Sequence, residues 1–485
     1  MTNAIGKPGH AASAETLEDP EYLAFQSVGE RRVNGHRLRD EVPLDTHAKW
    51  KATPARVDPL ATLEAQSAQR MPDLIHIRYG RMAASPFAFF RGGAGIMAGD
   101  LATTPTSGLA TQLCGDAHLL NFGFFATPDR TLIFGLNDFD ETLPGPFEWD
   151  VKRLAASIEI AGRDLGFTKS ERRSSVLATV QAYRESMTEF AEMRNLEVWY
   201  ARLPAQDFKA RLDELADPLS SAEADKRIRQ SLKRDHLRAF NRLVERHGDS
   251  LRFKSAPPLL MPIEELLDTE QRDRYLEVVQ ECLRQYRSSM PADRQSLMES
   301  YRYLHMARKV VGVGSVGTRA WVVLFEGRDC DDPLLLQMKE APPSVLAPYA
   351  GPSRFSSEGQ RVVAGQRLMQ AAGDHLLGHY DVVDWDGQRH DFYVRQLWDG
   401  KSSIDVTQLT PKGMQVYGES CGWTLARGHA RAGDRVALAA YLGGDDTFEQ
   451  AIAKFASAYA DTNEEDHALL VGAVADGRLE ATAGI

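Results

Sequence analysis

Apolar and polar positions follow two different periods along this chain, and the places where the period changes divide it. Residues 1–40 are polar and rich in small side chains, the pattern of a mobile N-terminal arm. From Asp45 through Gly95 the sequence turns apolar and aromatic, and the run from Leu132 to Leu136 has the length and composition of a short buried strand. After Ser157 the spacing is helical for well over a hundred residues. Thr168 and Glu171 form a T-x-x-E capping box ahead of the segment Ser175–Met193. A strongly basic helix is predicted from Lys226 to Arg246, and further helices through Leu276–Met290 and Ser296–Lys309.

The period then shortens to two. Arg319–Gly327 alternates and is rich in β-branched and aromatic residues, a turn follows at Asp329–Pro333, and Leu334–Lys339 reads as the next strand. Tyr380–Gly400 reads as a hairpin whose second strand is Phe392–Leu397. Between them, Ser356 and Ser357 are helix-start residues for a segment with helical spacing at Val362, Leu368 and Met369. Helical stretches return at Gly422–Asp434 and Thr447–Asp461. The expectation is an α+β protein with an arm at 1–40, a compact segment at 41–164, a helical insertion at 165–304, a strand-rich segment at 305–400 and a closing helical segment at 401–485.

With 485 residues, 43% hydrophobic and 26% charged, the chain can bury a large core or build two to three domains. A net charge of −11 argues against nucleic acid or an anionic membrane as the main partner. The basic helix could meet an acidic substrate, a tRNA or a lipid headgroup, but such a run is more often a solvated face with acids opposite. Cys114, Cys282, Cys330 and Cys421 are scattered without pairing motifs, which suits a reducing compartment. The first twenty residues have no signal-peptide core and no later stretch has membrane-spanning length, so a cytoplasmic location is expected.

Two clusters carry chemistry. The first is GDAHLLNF, with Asp116, His118 and Asn121, followed by NDFDE with Asp138 and Asp140. Phosphoryl transfer from a nucleotide needs a carboxylate to orient or deprotonate the attacking hydroxyl, and oxygen ligands to hold Mg²⁺ on the phosphates. Asp116, Asn121 and Asp138 meet that need, the last delivered by the end of the Leu132–Leu136 strand; Asp140 is either a further metal contact or a turn acid. His118 reads as an orienting or packing residue, since no Cys or His pair follows at zinc spacing. Arg91 is a candidate phosphate or substrate contact, weighed against an ordinary surface pairing.

The second cluster is GVGSVG, with Gly312, Gly314, Ser315 and Gly317, ahead of a strand ending in Lys339. Alone such a run is a common tight turn. Set between strands, it can cover nucleotide phosphates with its backbone N–H groups while Lys339 reaches the α- and β-phosphates. Glu358 is the expected brace for Lys339. Glu340 is the rival, but adjacent residues on a strand point to opposite faces.

GD-x-H-x-x-NF, then DFD, then WD-x-x-R-x-A-x-S at Trp149–Ser157 resembles the catalytic half of aminoglycoside phosphotransferases and choline kinases. The whole chain resembles a bacterial family described only as a domain of unknown function and grouped with the protein-kinase-like fold. Cys114 stands where those relatives usually carry a His. The resemblance implies a two-lobed kinase-like protein with Asp116 as catalytic Asp, Asn121 and Asp138 as Mg²⁺ ligands, and Asp150 as a structural acid bracing the loop. The glycine and lysine elements come after the Asp116 cluster, so the lobes would be written in circularly permuted order, with both chain ends in one lobe. The implied reaction moves the γ-phosphoryl group of ATP, with Mg²⁺, to a small-molecule hydroxyl or amine. AMP transfer to a protein and a non-catalytic nucleotide-binding scaffold are the alternatives.

Overall fold

Where the period-two segments fall, the chain builds its main sheet. The computed structural model describes residues 26–232, 236–248, 250–310, 312–383, 387–397 and 400–484. Six strands lie in the spatial order Gly378–Val383, Arg389–Gln396, Pro333–Glu340, Ala320–Glu326, Arg302–Lys309 and Leu260–Pro262, each antiparallel to its neighbour. Pro333–Glu340 is buried along its whole length, as a strand paired on both sides and covered on both faces must be. The register sets Lys339 opposite both Ala320 and Tyr393. Cross-strand partners share a face, so Lys339 and Tyr393 project together.

One face of the sheet is sealed by the helix Thr269–Ser288, through Tyr286 against Leu334, Leu336, Met338 and Val394. The other receives Ala239, Leu243 and Leu397 against Val322, Leu324 and Leu335. The helix Glu358–Met369 is capped by Ser357, whose hydroxyl accepts from the Gln360 N–H, as expected.

The larger core is helical. Phe147–Asp164 is buried almost end to end. Lys169–Glu192, started by the expected Thr168–Glu171 capping box, packs on Pro411–Ala432. A Cβ on Gly422 would come within 2.2 Å of the Thr179 carbonyl oxygen, so the absence of a side chain sets this close approach. Thr447–Ala475 lies on Phe147–Asp164. Front and rear of the chain are locked together: Arg56 donates to Asp100 (2.7 Å) and Asp466 (2.6 Å), and the Thr482 N–H donates to the His76 carbonyl (2.9 Å). No helix among the described residues is long and apolar enough to cross a membrane.

The structure departs from the sequence pattern in several segments. Residues 165–304 are not helical throughout: Val244–His247 pairs with Ser250–Phe253 in a hairpin, and Leu260–Pro262 supplies the edge of the main sheet. The segment Ser296–Lys309 is helix only to Glu299, then strand from Arg302. Tyr303, Leu304, Met306 and Ala307 suit either period, and sheet partners on both sides decide for strand. The basic stretch from Lys226 is split between the helices Pro218–Leu232 and His236–Leu243 and the strand Val244–His247, and Arg227 pairs there with Glu223 and Asp405. Residues 1–25 of the expected arm lie outside the described residues, but Val28–Glu41 is a helix with its own Ser27–Glu30 capping box. It has only Leu38 to offer the core and is held by polar contacts and by the close approach of Gly35 to the Ala437 carbonyl, which is why its composition reads as an arm.

Candidate functional site

The strand Ala110–Leu113 ends in a tight turn that presents Asp116. Gly115 has φ of 85°, and a Cβ there would lie 2.3 Å from the Glu141 carbonyl oxygen, so only glycine makes this turn. Asp150, in the first turn of Phe147–Asp164, holds the turn from behind: its carboxylate accepts the Cys114 N–H (2.8 Å) and the Gly115 N–H (3.1 Å). His429, from the rear of the chain, stands 3.2 Å from the same carboxylate and bonds Tyr183 through its other ring nitrogen (2.8 Å). Asp150 therefore braces the loop, as expected.

Asn121 ties the pieces of the loop together. Its side-chain N–H donates to the Asp116 carbonyl (2.7 Å), and its own carbonyl accepts the Asn137 N–H (2.8 Å). That second bond fixes the end of the Leu132–Leu136 strand, from which Asp138 and Asp140 follow. The Lys339 ammonium lies 3.8 Å from the Asp138 carboxylate and is hydrogen bonded to Asp140. Asp140 also accepts from the Tyr393 hydroxyl (2.6 Å) and from Ser315 (3.5 Å). Residues 110–140 and 312–340, far apart in the chain, thus meet at one set of charges.

The electrostatics follow from burial and pairing. Burial pushes the Asp116 carboxyl up; Arg153, whose Nε donates to it at 2.5 Å, pulls the other way without cancelling the rise. Burial and the neighbouring Asp140 likewise raise Asp138. Burial opposes ionisation of Asp140 as well, but Lys339 and the Tyr393 hydroxyl prevail and hold its carboxyl below the usual range. Burial alone would lower Lys339, whereas Asp138 and Asp140 raise it and keep it charged. His118, 3.7 Å from Asp116, is held neutral by burial and by the charges of Arg91 and Arg153.

An open cavity lies between these groups and the glycine loop. It is lined by the acidic group Asp116, Asn121, Asp138 and Asp140, by Gly312, Gly314 and Ser315 of the loop, and by a wall from the front of the chain with Arg70, Arg91 and Gln66. Gly312 (φ 66°) and Gly317 (φ 90°) take backbone conformations that L side chains rarely adopt. Helices from the front of the chain grip the loop by its carbonyls: Arg70 donates to Gly314 (2.7 Å) and Val316 (2.6 Å), Arg81 donates to Gly312, and the Met71 N–H donates to Gly317 (2.8 Å).

Two expectations are changed. Glu358 does not meet Lys339; its carboxylate takes the Arg361 guanidinium one helical turn on. Arg361 in turn donates to the carbonyls of Asp140 (2.9 Å), Thr142 (2.8 Å) and Pro342 (2.9 Å), so Glu358 supports the Asp140 turn through Arg361. Lys339 takes its counter-charge from Asp140 instead, which moves Asp140 from the expected metal set to the lysine. Glu340, paired with Arg319 (3.3 Å) and His390 (3.0 Å), reaches the cavity edge although its side chain leaves the opposite strand face from Lys339.

Arg70 and Tyr393 carry no motif that would have marked them in the sequence. Arg153 stood in the WD-x-x-R motif without an assigned role, though its place one turn past Asp150 on the helix under the loop was the signal. The expected second strand of the Tyr380–Gly400 hairpin is found as Arg389–Gln396, and Trp398 and Asp399 beyond it lie outside the described residues.

Among the described residues no three or more His, Cys, Asp or Glu side chains are grouped to hold a metal by themselves. Asn121 and Asp138 offer two oxygen donors beside the cavity, the kind of partial set that suits Mg²⁺ shared with phosphates. The family described as an uncharacterized protein conserved in bacteria (DUF2252) matches residues 70–473. No curated protein and no solved structure matches the chain.

Proposed function

The chain belongs to the bacterial family DUF2252, and on the geometry of its cleft we propose that it is an ATP- and Mg²⁺-dependent phosphotransferase of the protein-kinase-like fold, acting on a small-molecule hydroxyl or amine. One observation carries the reading: Lys339, from the glycine-loop sheet, stands 3.8 Å from Asp138 and is bonded to Asp140, and those two acids line a cavity together with Asp116 and Asn121. That grouping supplies a phosphate grip, metal donors and a base in one place. The circular permutation is supported by the helix Pro411–Ala432. It follows the sheet in the chain yet braces the loop that comes first, with the Tyr417 hydroxyl donating to the Leu119 (2.8 Å) and Phe122 (3.2 Å) carbonyls.

In this mechanism the backbone of Gly312–Gly317 covers the phosphates and Lys339 holds the α- and β-phosphate oxygens. Asn121 and Asp138 would hold Mg²⁺, which offsets the charge that develops on the phosphate oxygens. Asp116 orients the acceptor hydroxyl and receives its proton as the new O–P bond forms and the bond to the departing ADP breaks. Arg153 fixes the Asp116 carboxylate in place.

The test is a small-molecule panel with ATP labelled at the γ- or the α-phosphate. The reading expects ADP release with the γ label on an acceptor, and a fall of about 10²–10⁴ in turnover for Asp116→Asn. An α label on the acceptor would establish AMP transfer. A biological activity untouched by Asp116→Ala and Asp138→Ala would favour a scaffold.

A further inference from the structure

The wall formed by the front helices has a charge that phosphoryl transfer from ATP leaves unused. Arg91 lies in the last turn of Pro86–Gly92, lines the cavity, and has a buried Nε without a hydrogen-bond partner. Among the described residues it forms no ion pair. Three carboxylates that line the cavity already have a cation: Asp116 has Arg153 (2.5 Å), Asp140 has Lys339 and Glu340 has Arg319 (3.3 Å). Behind Arg91 sits Arg78, fully buried, which donates to Ser67 (3.1 Å), Gln66 (2.9 Å) and the Gly92 carbonyl (3.3 Å). Its partners are all neutral, as are the Gly314 and Val316 carbonyls that take Arg70, so among the described residues Arg70, Arg78 and Arg91 bring three guanidinium groups to this side without an ion pair.

Burying a cation without its counter-charge is costly, and an incoming oxyanion would relieve the cost with charge-assisted hydrogen bonds. The surroundings suit one. Gln66 gives its side-chain oxygen to Arg78, which turns its amide N–H₂ away, and it packs so tightly on the next helix that a Cβ on Gly95 would lie 2.1 Å from that nitrogen. The helix Ala94–Leu101 begins on the same wall, and its N-cap Gly93 offers no side-chain acceptor to its first N–H groups.

Building on the phosphotransferase reading, we propose that Arg91 and Gln66 form an anion subsite for the acceptor, so that the substrate is a hydroxyl compound that also carries a phosphate or carboxylate group. The subsite is assigned to the acceptor since Arg91 shares the cavity with Asp116, which meets the acceptor hydroxyl. Lys339, the phosphate grip of the proposed reaction, is engaged instead with Asp138 and Asp140. An anion on Arg91 anchors a molecule whose hydroxyl meets Asp116, and an unchanged affinity of Arg91→Gln for the ATP analogue separates that role from a nucleotide contact.

The full chain, loaded with Mg²⁺ and a non-hydrolysable ATP analogue, is titrated calorimetrically with inorganic phosphate and, separately, with acetate. The better binder identifies the group. The expected result is binding of one anion to the loaded protein, weakened about tenfold or more by Arg91→Gln and partly restored in Arg91→Lys, with the analogue's affinity for Arg91→Gln within about twofold of wild type. Thermal unfolding of each variant controls for folding, and Arg91→Lys keeps the charge if Arg91→Gln is not folded. Absence of anion binding, equal binding by folded Arg91→Gln, or a comparable loss of nucleotide affinity in that variant overturns the subsite. Failure of the wild-type chain to bind the analogue is a separate result, and it overturns the phosphotransferase reading itself.

Discussion

Lys339 shows how one buried charge can hold a site and a fold together. Its ammonium neutralises Asp140 and lies beside Asp138 at the point where the two parts of the chain meet. Removing it leaves two acids side by side, so Lys339→Met is expected to lower stability by about 3–5 kcal/mol in urea unfolding. Lys339→Met with Asp140→Asn should recover part of that loss, whereas a purely additive result would deny the pairing. Because the Asp140 carboxyl is depressed in the folded protein, its contribution is complete above an ordinary aspartate pKa and fades as the pH falls through the lowered value. Asp116 behaves oppositely. Burial raises it, and as a base it must be ionised, so the acidic limb of the pH–rate profile should lie above that of a free aspartate. Arg153→Gln removes a charge that favours ionisation, and the limb is expected to move to still higher pH. An unmoved limb would mean that Asp116 is not the titrating base.

At this scale much of the site was legible before the structure. Asp116, Asn121 and Asp138 sit at fixed short spacings that local geometry enforces, and Lys339 ends a strand whose pattern is plain. Glu358 was assigned to the wrong partner because Arg361 lies one turn away on its own helix and outcompetes a lysine on another element. Tyr393 could not be found without the register that sets it opposite Lys339.

Among the elements, the Asp116 turn is the most demanding. Its positive-φ glycine, the carbonyl of Glu141 packed against it and the two N–H bonds to Asp150 leave no room for a side chain. Gly115→Ala is expected to destabilise the protein by about 2 kcal/mol or more and to depress activity further than the stability loss explains, since it displaces Asp116. Unfolding midpoints compared with turnover at a temperature where the variant is folded check this. The helix Glu358–Met369 supports the acids from the other side, since Arg361 reaches three carbonyls and a Cβ on Gly365 would come within 2.4 Å of Thr142. Strands were legible where alternation was strong, as in Ala320–Glu326, and missed where neighbours decide, as in Arg302–Lys309 and the short Leu260–Pro262 edge.

For the molecule as a whole, the order of motifs foretold that front and rear would converge, and they do. Arg56 spans Asp100 and Asp466, Tyr417 holds the Asp116 loop from the rear segment, and Arg70 and Arg81 hold the glycine loop from the front. What the sequence could not convey is the degree of interlocking: Leu60, Leu63, Tyr79 and Met82 of the front helices pack with Leu470, Ala473 and Leu479 of the rear, and apolar spacing does not tell which faces will meet. The central claim is that this junction is a nucleotide cleft. Hydrogen exchange of the full chain, with and without Mg²⁺ and a non-hydrolysable ATP analogue, tests it most directly. The cleft should gain protection in residues 112–140 and 312–340 together; protection in neither segment, or in one alone, would contradict it.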